Sequence, residues 1–265
     1  MKKYLVVGNP IEHSLSPALH NYWIKKNNID AIYDKQKIEE EELKDLVLQV
    51  KEKKINGFNV TVPFKKTIIP HLDELSEEAT ETQSVNTVYL NGNKTIGHNT
   101  DIEGFELSIR DSKFNVNNKE ILILGAGGVV SSIIFTLFKM KASQITVSNR
   151  SKEKAESLKK VFNNLKIIDW GEITNFDMII NATSVGLKKD DRLKLDFSGM
   201  GNNKFFYDVI YNPKETDFLI KGKKLNNKTQ NGKKMFIYQA LAAFKIWHGI
   251  QPNIDEKVLE ILNDD

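Results

Sequence analysis

The chain of 265 residues contains no cysteine. That excludes disulfides, thiolate nucleophiles and thiolate metal sites. Long apolar runs are missing too. The first one, residues 5–7, stops at Gly8-Asn9-Pro10 and is too short for the core of a signal peptide. Nothing approaches the ~18 apolar residues of a membrane span. A soluble, cytoplasmic chain with no membrane partner is expected. Charge of one sign is not in excess either: Lys+Arg is 38, Asp+Glu is 35, and the formal net charge is +3. No block of five or six basic residues occurs, so nucleic acid has no electrostatic support as a partner. The five histidines show no metal-ligand spacing with one another or with an acid, and no metal site is expected.

What is present is an ordinary globular composition, 40% hydrophobic and 28% charged, able to bury a core without staples. Residues 4–7 read as a short buried strand ending in a turn. Ser14, Ser16 and Pro17 follow. Pro17 suits the first position of a helix and Ser16 its N-cap. Two hydroxyls at a helix start also suit a carboxylate, which the helix dipole favours there. A strand at 31–38 and an amphipathic helix at 40–53 come next. Residues 58–62 then alternate apolar and polar strand formers until Pro63, which has no N–H to give a sheet. Lys65 follows at the strand end, where a lysine is either solvated or a proton donor. A short helix at 76–82 leads to a hairpin, 84–90 and 94–98 around Asn91-Gly92-Asn93. Asp101 sits where an N-cap would for a helix at 102–110. The first half thus reads as a mainly parallel sheet covered by helices.

A second pattern begins after the polar stretch 115–119. An apolar strand, 120–124, runs into Gly125-Ala126-Gly127-Gly128, an apolar helix from Val129 to about 140, and a strand at 145–148. Strand, glycine turn, helix and strand within about thirty residues is the setting of a Rossmann dinucleotide site. The glycines give a tight turn and let backbone approach a pyrophosphate. Val130, where a glycine or alanine is usual, implies looser helix–strand packing. An NAD enzyme places an acid at the end of the second strand. Here stand Asn149-Arg150-Ser151, with Lys154 one turn on. Arginine matches a phosphate with forked, charge-assisted bonds, so the cofactor is read as NADP. The plainer alternative is that Ser151 caps a helix at 152–162 and Arg150 is solvated. Strands at 176–180 and 204–210 and helices at 215–224, 235–247 and 255–262 complete the pattern.

In joint order and spacing, GNPIxHSLSP, NVTVPFK, SVNT, NTDxxG, GAGG, NRS, NATSVG, DVIYNP and a final MxxxQ helix resemble the shikimate dehydrogenase family over nearly the whole chain. The resemblance implies two α/β domains: a substrate domain, residues 1–101 completed by helices in 236–265, and a Rossmann NADP-binding domain, 102–235. It implies reduction of 3-dehydroshikimate to shikimate with NADPH, on the chorismate route to aromatic amino acids. Ser14 and Ser16 match the grip on the substrate carboxylate, with Tyr211 near it. Thr61, Asn86, Asn99 and Gln239 match positions that hold ring hydroxyls or the acid–base pair, and Lys65 and Asp101 match that pair. Gly125, Ala126, Gly127, Gly128 and Val129 match the pyrophosphate loop, and Asn149, Arg150, Ser151 and Lys154 the clamp on the 2′-phosphate. Thr183, Val209 and Gly232 match contacts to the nicotinamide half, and Glu77 a further cofactor position. Members occur as monomers and as dimers, so a homodimer is one expectation. Val129-Val130, Lys234 and His98 depart from the usual pattern.

Hydride transfer to a ketone leaves charge on oxygen, which needs a proton or a cation. Asp101 is the candidate to orient Lys65, and Lys65 to donate the proton. A quinate/shikimate dehydrogenase paralogue and a non-catalytic NADP-binding regulatory protein are the alternatives. The first prefers an acid where Arg150 stands.

Overall fold

The computed structural model describes residues 1–188 and 190–262. The chain divides into two compact units, Met1–Glu103 with Tyr238–Asp265, and Gly104–Ile237. The last three residues of the expected stretch 236–265 lie outside the described residues.

The first unit holds a six-stranded sheet. Its strands are β1 (Lys2–Gly8), β2 (Ala31–Lys37), β3 (Gly57–Val60), β4 (Glu74–Leu75), β5 (Thr87–Asn91) and β6 (Lys94–His98), in the order β2-β1-β3-β5-β6-β4. The pairings of β1 with β2 and β3, and of β4 with β6, are parallel; β3–β5 and β5–β6 are antiparallel. Helices α1 (Ser16–Lys26), α2 (Leu43–Lys51) and α3 (Glu77–Thr82) accompany it. Helix α2 forms because Leu43, Leu46, Val47 and Val50 share one face, and all four are buried. They join Val7, Phe58, Val60, Phe64, Ile68 and Val88 in one core.

Three local expectations differ here. The strand expected at 58–62 ends at Val60, and its four residues are all buried. It lies between β1 and β5, so its polar positions face protein rather than water. Ser16 does not cap α1; Leu15 holds the cap position, with no side-chain bond. The Ser16 side chain interacts with the Tyr33 hydroxyl instead. Asp101 is the first residue of α4 (Asp101–Asp111), not its cap.

The second unit is a parallel sheet of β7 (Glu120–Leu124), β8 (Gln144–Ser148), β9 (Leu165–Ile168), β10 (Met178–Asn181), β11 (Phe205–Asp208) and β12 (Lys228–Gln230). The order is β12-β11-β10-β7-β8-β9, with every pairing parallel. Helix α5 (Val130–Lys139) follows β7, α6 (Lys152–Lys159) follows β8 and α7 (Asp217–Lys224) follows β11, and the strand order is that of a doubly wound sheet. Val130 is fully buried in a core with Ile121, Ile133, Ile145 and Ile180, so the larger side chain is absorbed without leaving a gap exposed to water. The chain returns to the first unit within α8 (Lys233–His248) and ends with α9 (Glu256–Ile261). Among the described residues no helix is long and apolar enough to cross a membrane.

Candidate active site

Lys65 lies in the turn after β3. Its neighbours Phe64 and Ile68 are 2% and 0% exposed and pin that turn in the core. The Val85 N–H donates to the Lys65 carbonyl at 2.8 Å. The ammonium therefore has little freedom, and it meets the Asp101 carboxylate at 2.5 Å. Lys65 is 8% exposed and Asp101 6%. A charge buried this far is tolerated only with a partner, and each is the other's. Asp101 is held on both sides. Its second oxygen accepts from Asn86 Nδ2 at 3.0 Å, and its backbone N–H donates to Asn99 Oδ1 at 3.2 Å. Asn86 is fixed in turn, its Oδ1 accepting from the Thr100 backbone N–H at 2.8 Å. Asn99 donates to Thr82 Oγ1 at 3.0 Å.

The carboxylate-binding candidates Ser14 and Ser16 belong to the same unit. The Ser14 hydroxyl accepts from the Ser16 N–H at 3.4 Å. Tyr33, which interacts with Ser16, donates to Asn59 Oδ1 at 2.6 Å. Asn59 Nδ2 then donates to the Asn86 carbonyl and to Thr87 Oγ1, both at 3.0 Å. One buried network thus runs from Tyr33 to the Lys65–Asp101 pair. Burial drives the Tyr33 hydroxyl well above its usual pKa, so it stays a donor. Thr61 follows β3, its N–H on the Val7 carbonyl at 2.9 Å. Gln239 sits on α8 in this unit. Tyr211 lies in the other unit, its ring 4.7 Å from Phe236. Tyr33, Asn59 and Thr100 were not singled out from sequence. The polar positions of a strand whose every residue is buried are the signal that could have found Asn59.

His98 and Lys234 find local partners. His98 Nδ1 is 3.8 Å from Glu78, and burial lowers its pKa. Lys234 pairs with Asp111.

The cofactor candidates lie in the second unit, except Glu77. That residue is exposed at the first position of α3 and belongs to the first unit. Gly125 has φ +113°, and a Cβ there would come within 2.8 Å of the Ala182 carbonyl oxygen. Only glycine permits that turn and that approach. At Gly127 a Cβ would meet nothing within 4 Å. Open space over exposed backbone before the α5 N-terminus is what a pyrophosphate requires, so the loop fits a dinucleotide. At the end of β8, Asn149 Nδ2 donates to the Ser151 carbonyl at 2.8 Å. The Ser151 hydroxyl bonds Glu153 at 2.9 Å rather than capping α6. Lys152 is taken up by Asp169 at 2.7 Å. Arg150 is exposed, and neither its guanidinium nor the Lys154 ammonium meets an acid among the described residues. Two free cations at this place suit a phosphate. Thr183 and Val209 follow β10 and β11, and the Gly232 N–H donates to the Ile210 carbonyl at 3.0 Å.

The arrangement is matched in known proteins. A family model described as "Shikimate dehydrogenase substrate binding domain" matches residues 6–88. "Shikimate / quinate 5-dehydrogenase" matches 108–194, and "Shikimate 5'-dehydrogenase C-terminal domain" matches 234–256. A shikimate dehydrogenase (NADP(+)) of Pelagibacter ubique is 57% identical over 262 residues, 99% of each chain. The crystal structure of shikimate dehydrogenase from Aquifex aeolicus superposes with a TM-score of 0.91 at 38% identity, covering 100% of this chain and 98% of that one. The Thermus thermophilus enzyme, solved in complex with NADP(H) and shikimate, gives 0.90 at 29% identity, covering 99% of both. This chain belongs to the shikimate dehydrogenase family.

Proposed function

We propose that this chain reduces 3-dehydroshikimate to shikimate with NADPH, with Lys65 and Asp101 as its acid–base pair. The observation that carries the reading is the buried pair at 2.5 Å, braced by Asn86 and Asn99. Bound NADPH supplies the hydride. Lys65 donates a proton to the ketone oxygen as negative charge develops there. In the reverse direction it takes that proton back. Asp101 keeps the ammonium aimed and charged. Ser14 and Ser16, with Tyr211, hold the substrate carboxylate. Thr61, Asn86, Asn99 and Gln239 hold the ring hydroxyls and orient the pair.

The loop from Gly125 to Val129 holds the pyrophosphate, and Asn149, Arg150, Ser151 and Lys154 hold the 2′-phosphate. Thr183, Val209 and Gly232 line the nicotinamide half, with Glu77 as an outlying contact. A cytoplasmic setting and a homodimer rest on the family resemblance. The test is absorbance at 340 nm with shikimate or quinate, each with NADP or NAD. Shikimate with NADP is expected to be much faster than the other three pairings. Comparable rates on quinate or NAD would favour the bifunctional reading. Cofactor binding without turnover on any pairing would overturn the substrate assignment.

A further inference from the structure

Asp208 takes no part in the chemistry described above, yet it is 0% exposed at the end of β11. Three donors converge on its carboxylate. Asn181 Nδ2 donates to Oδ1 at 3.1 Å, the Ile210 N–H donates to the same oxygen at 3.0 Å, and the Thr216 hydroxyl donates to Oδ2 at 2.6 Å. Each donor belongs to a different segment. Asn181 ends β10 and pairs in register with Asp208. Ile210 lies in the loop after β11, and Thr216 caps α7.

The bonds continue outward. Asn181 Oδ1 accepts from the Thr183 N–H at 3.1 Å and from the Thr183 hydroxyl at 2.7 Å. The Val209 N–H donates to the Asn181 carbonyl at 3.0 Å. Beyond Ile210 stands Gly232, where a Cβ would lie 2.0 Å from the Val209 carbonyl oxygen. So Thr183, Val209 and Gly232, which come from three separate loops, are tied to one another through a single side chain and its nearest partners.

We propose that Asp208 is a positioning residue whose buried carboxylate locks these three loops into one template for the nicotinamide half of NADPH. The inference rests on the cofactor reading above. A carboxylate suits the place because it is acceptor-only, so it can satisfy an amide, a backbone N–H and a hydroxyl at once. Burying it without a cation is expensive, and burial raises it to about 6, partly offset by those three hydrogen bonds. A chain that needed only a filled core at this point would do better with an apolar residue. Asparagine should serve nearly as well as aspartate. Its Oδ1 can accept from Asn181 and Ile210, while its Nδ2 donates to Thr216, whose hydroxyl turns from donor to acceptor.

The experiment is calorimetric titration of the full chain with two probes, NADPH and adenosine 2′,5′-bisphosphate, alongside kcat for shikimate oxidation. Asp208→Ala is expected to weaken NADPH roughly 10- to 100-fold and to lower kcat by a similar factor, the size that misplacement far from the chemistry can cost. Adenosine 2′,5′-bisphosphate, which lacks the nicotinamide half, should bind within about 3-fold of wild type, because Asp208 does not reach its site. Asp208→Asn should recover most of both losses. Equal weakening of the two probes, no weakening of either, or an asparagine variant as poor as alanine would each overturn the proposal. If Asp208→Ala does not fold, Thr216→Val removes one of the three bonds and should show the same pattern at roughly 3- to 10-fold; an unchanged NADPH affinity there would overturn it. A wild-type protein that gains nothing from the nicotinamide half sinks the cofactor reading and the proposal together. A wild type that does gain, with Asp208→Ala keeping the gain, sinks the proposal alone.

Discussion

Replacing Lys65 by alanine tests catalysis and folding at once. The substitution leaves Asp101 as a lone carboxylate in a site where it is only 6% exposed. Breaking a buried pair from one side costs about 3–5 kcal/mol. Asp101 keeps its bond from Asn86 at 3.0 Å, so the lower end, about 3 kcal/mol, is expected. The proposed general acid is lost too, which should lower kcat at least ~10²-fold while leaving NADPH affinity nearly unchanged. The double variant Lys65→Met/Asp101→Leu separates the two effects. It removes both charges and fills their volume, so it should be more stable than either single variant by about 2 kcal/mol or more, and still inactive. Urea midpoints give the stabilities, and absorbance at 340 nm gives kcat. A Lys65→Ala enzyme with kcat within about 3-fold of wild type would refute the acid assignment. Single variants whose destabilisations simply add would refute the paired burial.

Arg150→Ala should raise KM for NADPH by roughly 10- to 100-fold, the worth of charged hydrogen bonds to phosphate, and change KM for NADH less than about 3-fold; equal losses would refute the 2′-phosphate site. Asp208 titrates at about 6 in the fold, above an ordinary carboxylate, because burial opposes its charge. Its charge costs more in the fold than in the unfolded chain, so wild-type stability should fall as pH rises from about 4 through 6, by on the order of 3 kcal/mol from this group. Asp208→Asn should therefore gain most over wild type above pH 6 and little near pH 4, read from urea midpoints; a gain independent of pH would refute the assignment. His20 has the opposite sign. It is 1% exposed, its ring stacks on Tyr33 at 4.1 Å, and burial with His248 nearby lowers it to about 3. It folds neutral, so stability is lost as pH falls below about 6.5, by ~1.4 kcal/mol per pH unit. His20→Phe should flatten that acid limb between pH 6.5 and 5, and an unchanged limb would refute the buried neutral imidazole.

How far the sequence predicted the structure follows from the range over which each signal acts. The turn at Gly125, the helix α5 and the strands β7 and β8 are set by local patterns, and they stand where those patterns place them. Strands β4 and β12 leave no strand signal in the sequence, since Glu74-Leu75 is only two residues and Lys228–Gln230 is polar throughout, and β9 (Leu165–Ile168) also falls outside the expected strands. Such strands owe their existence to the neighbours they pair with. Capping rules failed at Ser16 and Asp101 for one reason. Both side chains fit a cap locally, but each interacts with a tertiary partner instead: Ser16 with the Tyr33 hydroxyl, Asp101 with the Lys65 ammonium. A local rule that looks satisfied in the sequence and is broken in the fold marks a side chain committed elsewhere.

The second sheet explains how the proposed cofactor residues, scattered from Gly125 to Gly232, could serve one ligand. Its order β12-β11-β10-β7-β8-β9 reverses direction between β7 and β10, and parallel strands point their carboxyl ends the same way. At such a switch point the two connecting helices leave on opposite faces and open a crevice beyond the strand ends. Gly125 ends its strand there against the Ala182 carbonyl, the residue after β10. Asn181 and Asp208 extend the same edge by one strand, from β10 to β11. The topology therefore delivers the Gly125 loop, the Thr183 loop and the Val209 loop side by side, but it fixes only their strand ends. What happens two residues further on depends on side chains. That is the step at which a buried acceptor such as Asp208 turns adjacent loops into a shaped surface, and why removing it should blunt the grip on one half of the cofactor and spare the other.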